Sequence, residues 1–325
     1  DHAGGGGPGG QHCYTTGLLN YYFLTGDHYA KEAVVSLYHW IERVYDGDRT
    51  LVNLILALKN RHRVDLKNII TNTYPLDRGT ANYINTTLDM YLLQHDLHYL
   101  HKAFAIIVHT VNVTEDLSLR HLDEVEHHWF YTVFVQAVSR FMRISQAFPQ
   151  NAPEYQLWLH CQQLVIKFAD WMVAHESPYL TKPEGLEYPN QTWSGQDLRK
   201  VDILSFAAYI NPSKFLVYEN KATEIEHYVL AQLNSSEETC YSRIQALIMQ
   251  NYGGQSLYAA LNEQTPLNLN SHGKTENSHA EPHFVDLHQK PSIPEIALNN
   301  LRNWSIKHEI NQLKKRSQRL NKWMN

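Results

Sequence analysis

The sequence predicts an all-α fold, a toroid of helical hairpins, and three observations carry that expectation. Apolar residues recur at helical spacing along most of the chain, first over 14–23 and 30–44, with almost no alternation of β-branched residues to signal strands. A two-helix unit then repeats: Tyr22, Tyr91 and Tyr209 each close an apolar helix, and eighteen residues later Trp40, His109 and His227 stand near the end of a second one. Asp27 and Asp96 occupy the same turn between the two helices. Such hairpins must each bury one face against the next, and closing the series into a ring with first helices inside removes exposed ends. An open repeat array that binds protein is the competing architecture.

Taken in order, residues 1–12 form a glycine-rich loop that lacks the lysine and the preceding strand of a phosphate-binding loop, so its glycines serve close backbone approach. The first hairpin follows, broken at Thr25-Gly26-Asp27. A linking helix is expected over Thr50–His62, and Tyr74–Asp77 marks the entrance of the second copy. A looser copy runs from Trp129 through Phe141 to Trp171 with a long turn around Pro149–Pro153, and the last copy ends at His227. Beyond it lie a helix at about Glu237–Glu263, a polar stretch to Lys290 and a final helix at about Pro294–Trp323. The domain reading is therefore a toroid over 1–263, a polar linker over 264–290 and a basic C-terminal helix over 291–325. In that helix Lys314, Lys315, Arg316, Arg319 and Lys322 stand beside Leu313, Leu320 and Trp323, and it is expected to pack loosely on the body or on a partner. The repeat register predicts a core of Leu18, Leu19, Tyr22, Val34, Leu88, Tyr91, Phe104, Val138, Phe141, Phe168 and Phe206.

Composition narrows the function. With 325 residues of which 43% are hydrophobic, the chain can bury a large core. Its net charge of -5 gives it no electrostatic reason to seek nucleic acid or an anionic membrane. No apolar run approaches a membrane span and no leader precedes Asp1, so the expectation is a soluble protein, with cell envelope or secretion open. With a start without Met in a glycine-rich loop, the expectation is a processed product or the C-terminal piece of something longer. Cys13, Cys161 and Cys240 are too scattered for a disulfide framework or a zinc knuckle. His95, His98 and His101 lack the spacing of a zinc helix and read as solvent-facing, while His272, His279, His283 and His288 fall in the polar stretch. No metal ligand set and no cofactor is expected, with a divalent cation left open.

The densest chemistry lies in Glu187–Asp202, EYPNQTWSGQDLRKVD. Tyr188 and Trp193 offer flat faces of the kind sugar rings stack on, and Gln196, Asp197, Arg199 and Lys200 supply donors and acceptors. The structural alternative is a helix entrance with Ser194 as its N-cap. The repeat register adds a second argument. Thirteen residues before the marker of each copy come Gly9, Arg78, His128 and Gln196, and ten before it His12, Ala81, Tyr131 and Arg199. In a toroid these entrances converge, so His12, Tyr14, Arg78, Asn82, the segment Glu126–Tyr131 with Trp129, and Glu187–Lys200 would line one cavity.

The segments HCYTTGLLNYYFLTGD and YPNQTWSGQDLRK resemble the (α/α) toroid domains of six-hairpin carbohydrate-active enzymes, nearest to the C-terminal toroid domain of rhamnogalacturonan exolyase-like proteins. The likeness covers about residues 2–235. It implies a carbohydrate site in the toroid cavity and a β-sandwich partner domain outside this chain. A full ring needs about twelve helices, and the sequence gives nine or ten.

The leading expectation is a lyase that cleaves a uronic-acid-containing polysaccharide by β-elimination. That reaction needs cationic or amide groups on the carboxylate, a base, and an acid for the leaving oxygen. Arg199, Arg78, Gln196 and Asn82 suit the first task. His128 and Tyr131, three apart on one helical face, are the favoured acid/base pair, with His12 and Tyr14 as the alternative. A glycoside hydrolase using Asp197 with Glu126 or Glu187 is the second hypothesis, and a non-catalytic helical scaffold the third.

Overall fold

The computed structural model describes residues 9–47, 50–59, 73–264, 292–302, 304–316 and 322. Among them every regular element is helical. The chain divides into two compact units, residues 1–110 with 280–325, and residues 111–279.

The first unit holds a short 3-10 turn at Gly10–His12 and helices α1 (Thr16–Thr25), α2 (His28–Asp46), α3 (Leu51–Lys59), α4 (Arg78–Gln94) and α5 (Leu97–Val108). The two hairpins turn by the same device. Gly26 ends α1 in the left-handed region at φ 73°, and the Asp27 carboxylate then accepts the Ala30 N–H at 2.9 Å to cap α2. His95 ends α4 at φ 56°, and Asp96 caps α5 through the His98 N–H at 2.9 Å. On α2 the buried residues Ala30, Val34, Tyr38, Ile41 and Tyr45 fall three or four apart, a single stripe.

α4 is the centre of this unit and packs on α1, α2, α5 and the Gly10–His12 turn. From Gly79 to Met90 all its residues but Asn85 are buried. Its polar groups are satisfied inside: Asp89 accepts the Thr15 hydroxyl at 2.5 Å and the Thr16 hydroxyl at 3.1 Å. The C-terminal region returns to this unit as α13 (Ile293–Arg302) and α14 (Ile306–Arg316), both packed on α3. The Glu309 carboxylate accepts the N–H groups of Leu51 (2.7 Å) and Val52 (3.1 Å), capping α3 from a distant part of the sequence. Among the described residues the single helix expected over Pro294–Trp323 is thus divided, with one helix ending at Arg302 and another starting at Ile306. Arg319, Leu320 and Trp323, the glycines of 1–8 and the four histidines between 272 and 288 lie outside the described residues.

In the second unit α6 (Val125–His128), α7 (Tyr131–Ser145), α8 (Pro153–His175), α9 (Thr192–Ile210), α10 (Phe215–Asn234), α11 (Ser242–Asn251) and α12 (Gly254–Gln264) follow in order. Pro153 sits at the first position of α8, where its missing N–H costs nothing. The helix expected over Glu237–Glu263 breaks at Gly253, whose φ of 95° no helix accommodates. α9 is the axis here, in contact with α7, α8, α10, α11 and α12, and is buried without a break from Ser194 to Val201. Of the expected core, Leu19, Val34, Leu88, Phe104, Val138, Phe141, Phe168 and Phe206 are buried, while Leu18, Tyr22 and Tyr91 are half-buried.

Candidate functional site

The segment 187–202 divides into a surface loop and a buried helix. In the loop the Tyr188 carbonyl accepts the Asn190 amide at 2.9 Å and the Trp193 indole N–H at 3.2 Å, and the Tyr188 ring is 70% exposed. The Glu126 carboxylate accepts the Glu187 N–H at 3.0 Å. Trp193 meets Trp129 and Tyr179 edge-on, with ring centres 6.1 and 5.3 Å apart. Ser194 is not the cap expected of it. The helix starts at Thr192 with Gln191 in the capping position, and the Ser194 hydroxyl donates to the Gln191 side chain at 2.8 Å.

Lys200 and Asp197, three apart on α9, are fully buried. The Lys200 ammonium lies 2.9 Å from Asp197 Oδ1, 2.7 Å from Glu176 Oε2 and 2.8 Å from the Ser177 carbonyl, and 3.3 Å above the centre of the Tyr179 ring. Asp197 also accepts the Tyr179 N–H at 2.9 Å, and Glu176 the Tyr131 hydroxyl at 2.6 Å. Two carboxylates share one ammonium, so the cluster carries an excess negative charge in a place that solvates it poorly. Burial therefore pushes Asp197 up to about 6, with Lys200 pulling the other way and Glu176 adding to the rise. Burial, with Glu176 beside it, holds the Tyr131 phenol well above its ordinary range.

Arg199 leaves α9 on another side and is 6% exposed. Its guanidinium donates to Gln196 (2.8 Å), Gln136 (2.5 Å), Gln250 (2.9 Å) and Asn251 (3.4 Å), all neutral amides. Gln136 in turn donates to Asp202 at 2.8 Å. These bonds join α7, α9 and α11, so Arg199 holds helices together, and Gln196 steadies its guanidinium from one turn back on α9.

His128 and Tyr131 do not share a helical face. His128 ends the short α6 and Tyr131 opens α7, and their backbones are separated by the turn at Trp129-Phe130. The His128 Nδ1 is buried without a hydrogen-bond partner, and Tyr131 is fully buried against Phe168 and Trp171.

Beside the Lys200 cluster lies a cavity of about 440 Å³ walled by Asp123–His127, by Trp171 and His175 of α8, and by residues of the 176–186 connection. Glu176, Ser177 and Tyr179 belong both to the cluster and to the cavity wall. Of the site segments singled out in the sequence only Glu126–Tyr131 reaches it, through Glu126 and His127; Glu176, Tyr179, Trp171, His175 and Glu184 were not read as site residues. The available signal was the one-turn spacing of Trp171 and His175, with Glu176 at the point where Pro178 stops the helix.

The first unit carries the other candidates. Arg78 opens α4 half-buried, and its guanidinium donates to the Gln11 side chain at 3.2 Å. Asn82, one turn on and buried, donates to the Gly10 carbonyl at 3.1 Å, which ties the segment carrying His12 and Tyr14 to α4. His12 is half-buried and the Tyr14 ring is 60% exposed. The same unit contains a cluster that sequence reading passed over: Lys102 pairs with Glu42 and, at 3.3 Å, with Asp46. Asp46 also accepts the hydroxyls of Tyr74 (2.7 Å) and Tyr83 (2.6 Å). Burial, then Asp46, holds both phenols above their usual range.

Among the described residues no group of three or more His, Cys, Asp or Glu side chains is placed to share a metal ion, and no helix is long and apolar enough to cross a membrane. No protein-family model, curated protein or solved structure matches the chain.

Proposed function

We propose that this chain is a carbohydrate-active domain whose hairpins form an (α/α) toroid, and that it cleaves a uronic-acid-containing polysaccharide by β-elimination. The observation that carries the reading is the constellation at the start of α4. A guanidinium, Arg78, is held by Gln11 at 3.2 Å in a solvent-exposed bond, and the same backbone segment brings His12 and the exposed Tyr14.

These are the groups the reaction needs. Arg78 grips the substrate carboxylate in paired hydrogen bonds and stabilises the negative charge that develops when the neighbouring C–H is deprotonated. His12 takes that proton. The electron pair forms the C=C bond as the glycosidic C–O bond breaks, and Tyr14 protonates the departing oxygen. Of the other groups considered, Arg199 is committed to amides and Tyr131 is fully buried against Glu176. The hydrolase alternative is favoured less, because Asp197 is fully buried and paired with Lys200.

The test is the absorbance of the new C=C bond on incubation with homogalacturonan and rhamnogalacturonan fragments. His12→Ala and Tyr14→Phe should each lower turnover by about 10²- to 10⁴-fold. New reducing ends without that absorbance would replace the lyase with a hydrolase. Binding with neither product would leave a scaffold.

A further inference from the structure

We infer that the tip of the first hairpin is a docking surface for a second copy of this chain. α1, TGLLNYYFLT, carries no charge and has apolar residues on every side. A helix of that character is ordinarily buried all round. Here it packs on α2 and α4, and Leu19 alone among its residues is fully buried. The second half of α1 and the start of α2 present four large side chains to solvent: Leu24 and Tyr29 are 86% and 83% exposed, and Tyr21 and Phe23 are each a little over half exposed.

Area and charge both point to the occupant. Taking about 200 Å² for a large side chain in full exposure, these four leave on the order of 500 Å² of surface in water. That lies in the upper part of the roughly 300–600 Å² of the largest apolar patch on a typical monomer. It also matches the apolar share, about three fifths, of the roughly 800 Å² that each partner buries in a standard interface. A two-fold axis brings identical patches face to face, so any charge in one meets its like in the other. Between Tyr14 and Ala30 there is no lysine or arginine, and the one carboxylate, Asp27, is engaged with the Ala30 N–H at 2.9 Å. The same lack of basic residues leaves nothing to attract an anionic membrane, and no charge for an acidic or basic partner to recognise.

Sedimentation velocity on the whole chain across the micromolar range is the test. The wild type should run at twice the 37.8 kDa of one chain. The double variant Leu24→Glu/Tyr29→Glu changes two exposed side chains, and across a two-fold axis it sets four like charges together. It should run as a monomer with an unchanged helical circular dichroism spectrum. Leu216→Glu/Met249→Glu alters two exposed apolar side chains of the second unit and should leave the dimer intact. A wild type that is monomeric throughout the range overturns the inference, and its flotation with phosphatidylcholine vesicles would assign the face to lipid instead. A dimer that survives Leu24→Glu/Tyr29→Glu, or that Leu216→Glu/Met249→Glu breaks equally, overturns it too.

Discussion

At the scale of single residues, the charges of α9 are structural. Removing one partner of a buried ion cluster exposes the others to an uncompensated charge. Lys200→Met leaves Asp197 and Glu176 facing each other in a buried place, and should cost about 3–5 kcal/mol in denaturant unfolding. Asp197 adds a pH signature. Its folded pKa is raised, so as pH climbs from about 4 the unfolded chain loses this proton first while the folded chain keeps it until about 6. Stability should therefore fall through that window, by on the order of 2–3 kcal/mol, and stay level above it. Asp197→Asn should flatten this part of the profile, which unfolding curves taken between pH 4 and 7 will read. Arg199→Lys should destabilise by about 1–3 kcal/mol, because an ammonium does not reproduce the spread of donors to Gln196, Gln136 and Gln250.

At the scale of elements, close approach decides what a helix tolerates. A Cβ on Gly79 would sit 1.8 Å from the Tyr45 hydroxyl oxygen, so Gly79→Ala should destabilise the first unit. Adding Tyr45→Phe removes that atom and should recover part of the loss, a non-additivity that a double-mutant cycle measures. Glu309→Ala should free the first amides of α3, and hydrogen exchange at Leu51 and Val52 should rise with little change in α4. Helix type and hairpin turns were legible because they are local: Asp27 and Asp96 sit at equal places in the repeat and cap their helices alike. The break at Gly253 and the new helix start at Ile306 were not, because the apolar spacing runs across them.

For the whole molecule, what escaped sequence reading was depth. GQDLRKVD, with four of its eight residues charged, reads as a ligand-facing helix entrance. Only the surrounding α7, α8, α10, α11 and α12 turn it into an interior whose charges are matched by residues far off in sequence, Glu176 and Gln136 among them. Conversely Arg78, His12 and Tyr14 were legible as candidates because the repeat register brought His12 and Arg78 to helix entrances. The cavity beside Glu176 was not, because its walls come from two stretches far apart in sequence, 123–127 and 171–186, with no shared motif.

The central claim is that the ligand carboxylate meets Arg78 and that Arg199 holds the fold. Titrating a galacturonate oligosaccharide into wild type, Arg78→Lys and Arg199→Lys, each with its melting temperature, separates the two roles in one set of measurements. The account predicts that Arg78→Lys loses affinity tenfold or more at an unchanged melting temperature, while Arg199→Lys keeps its affinity and melts several degrees lower. The reverse pattern, affinity lost with Arg199 and kept without Arg78, would contradict it.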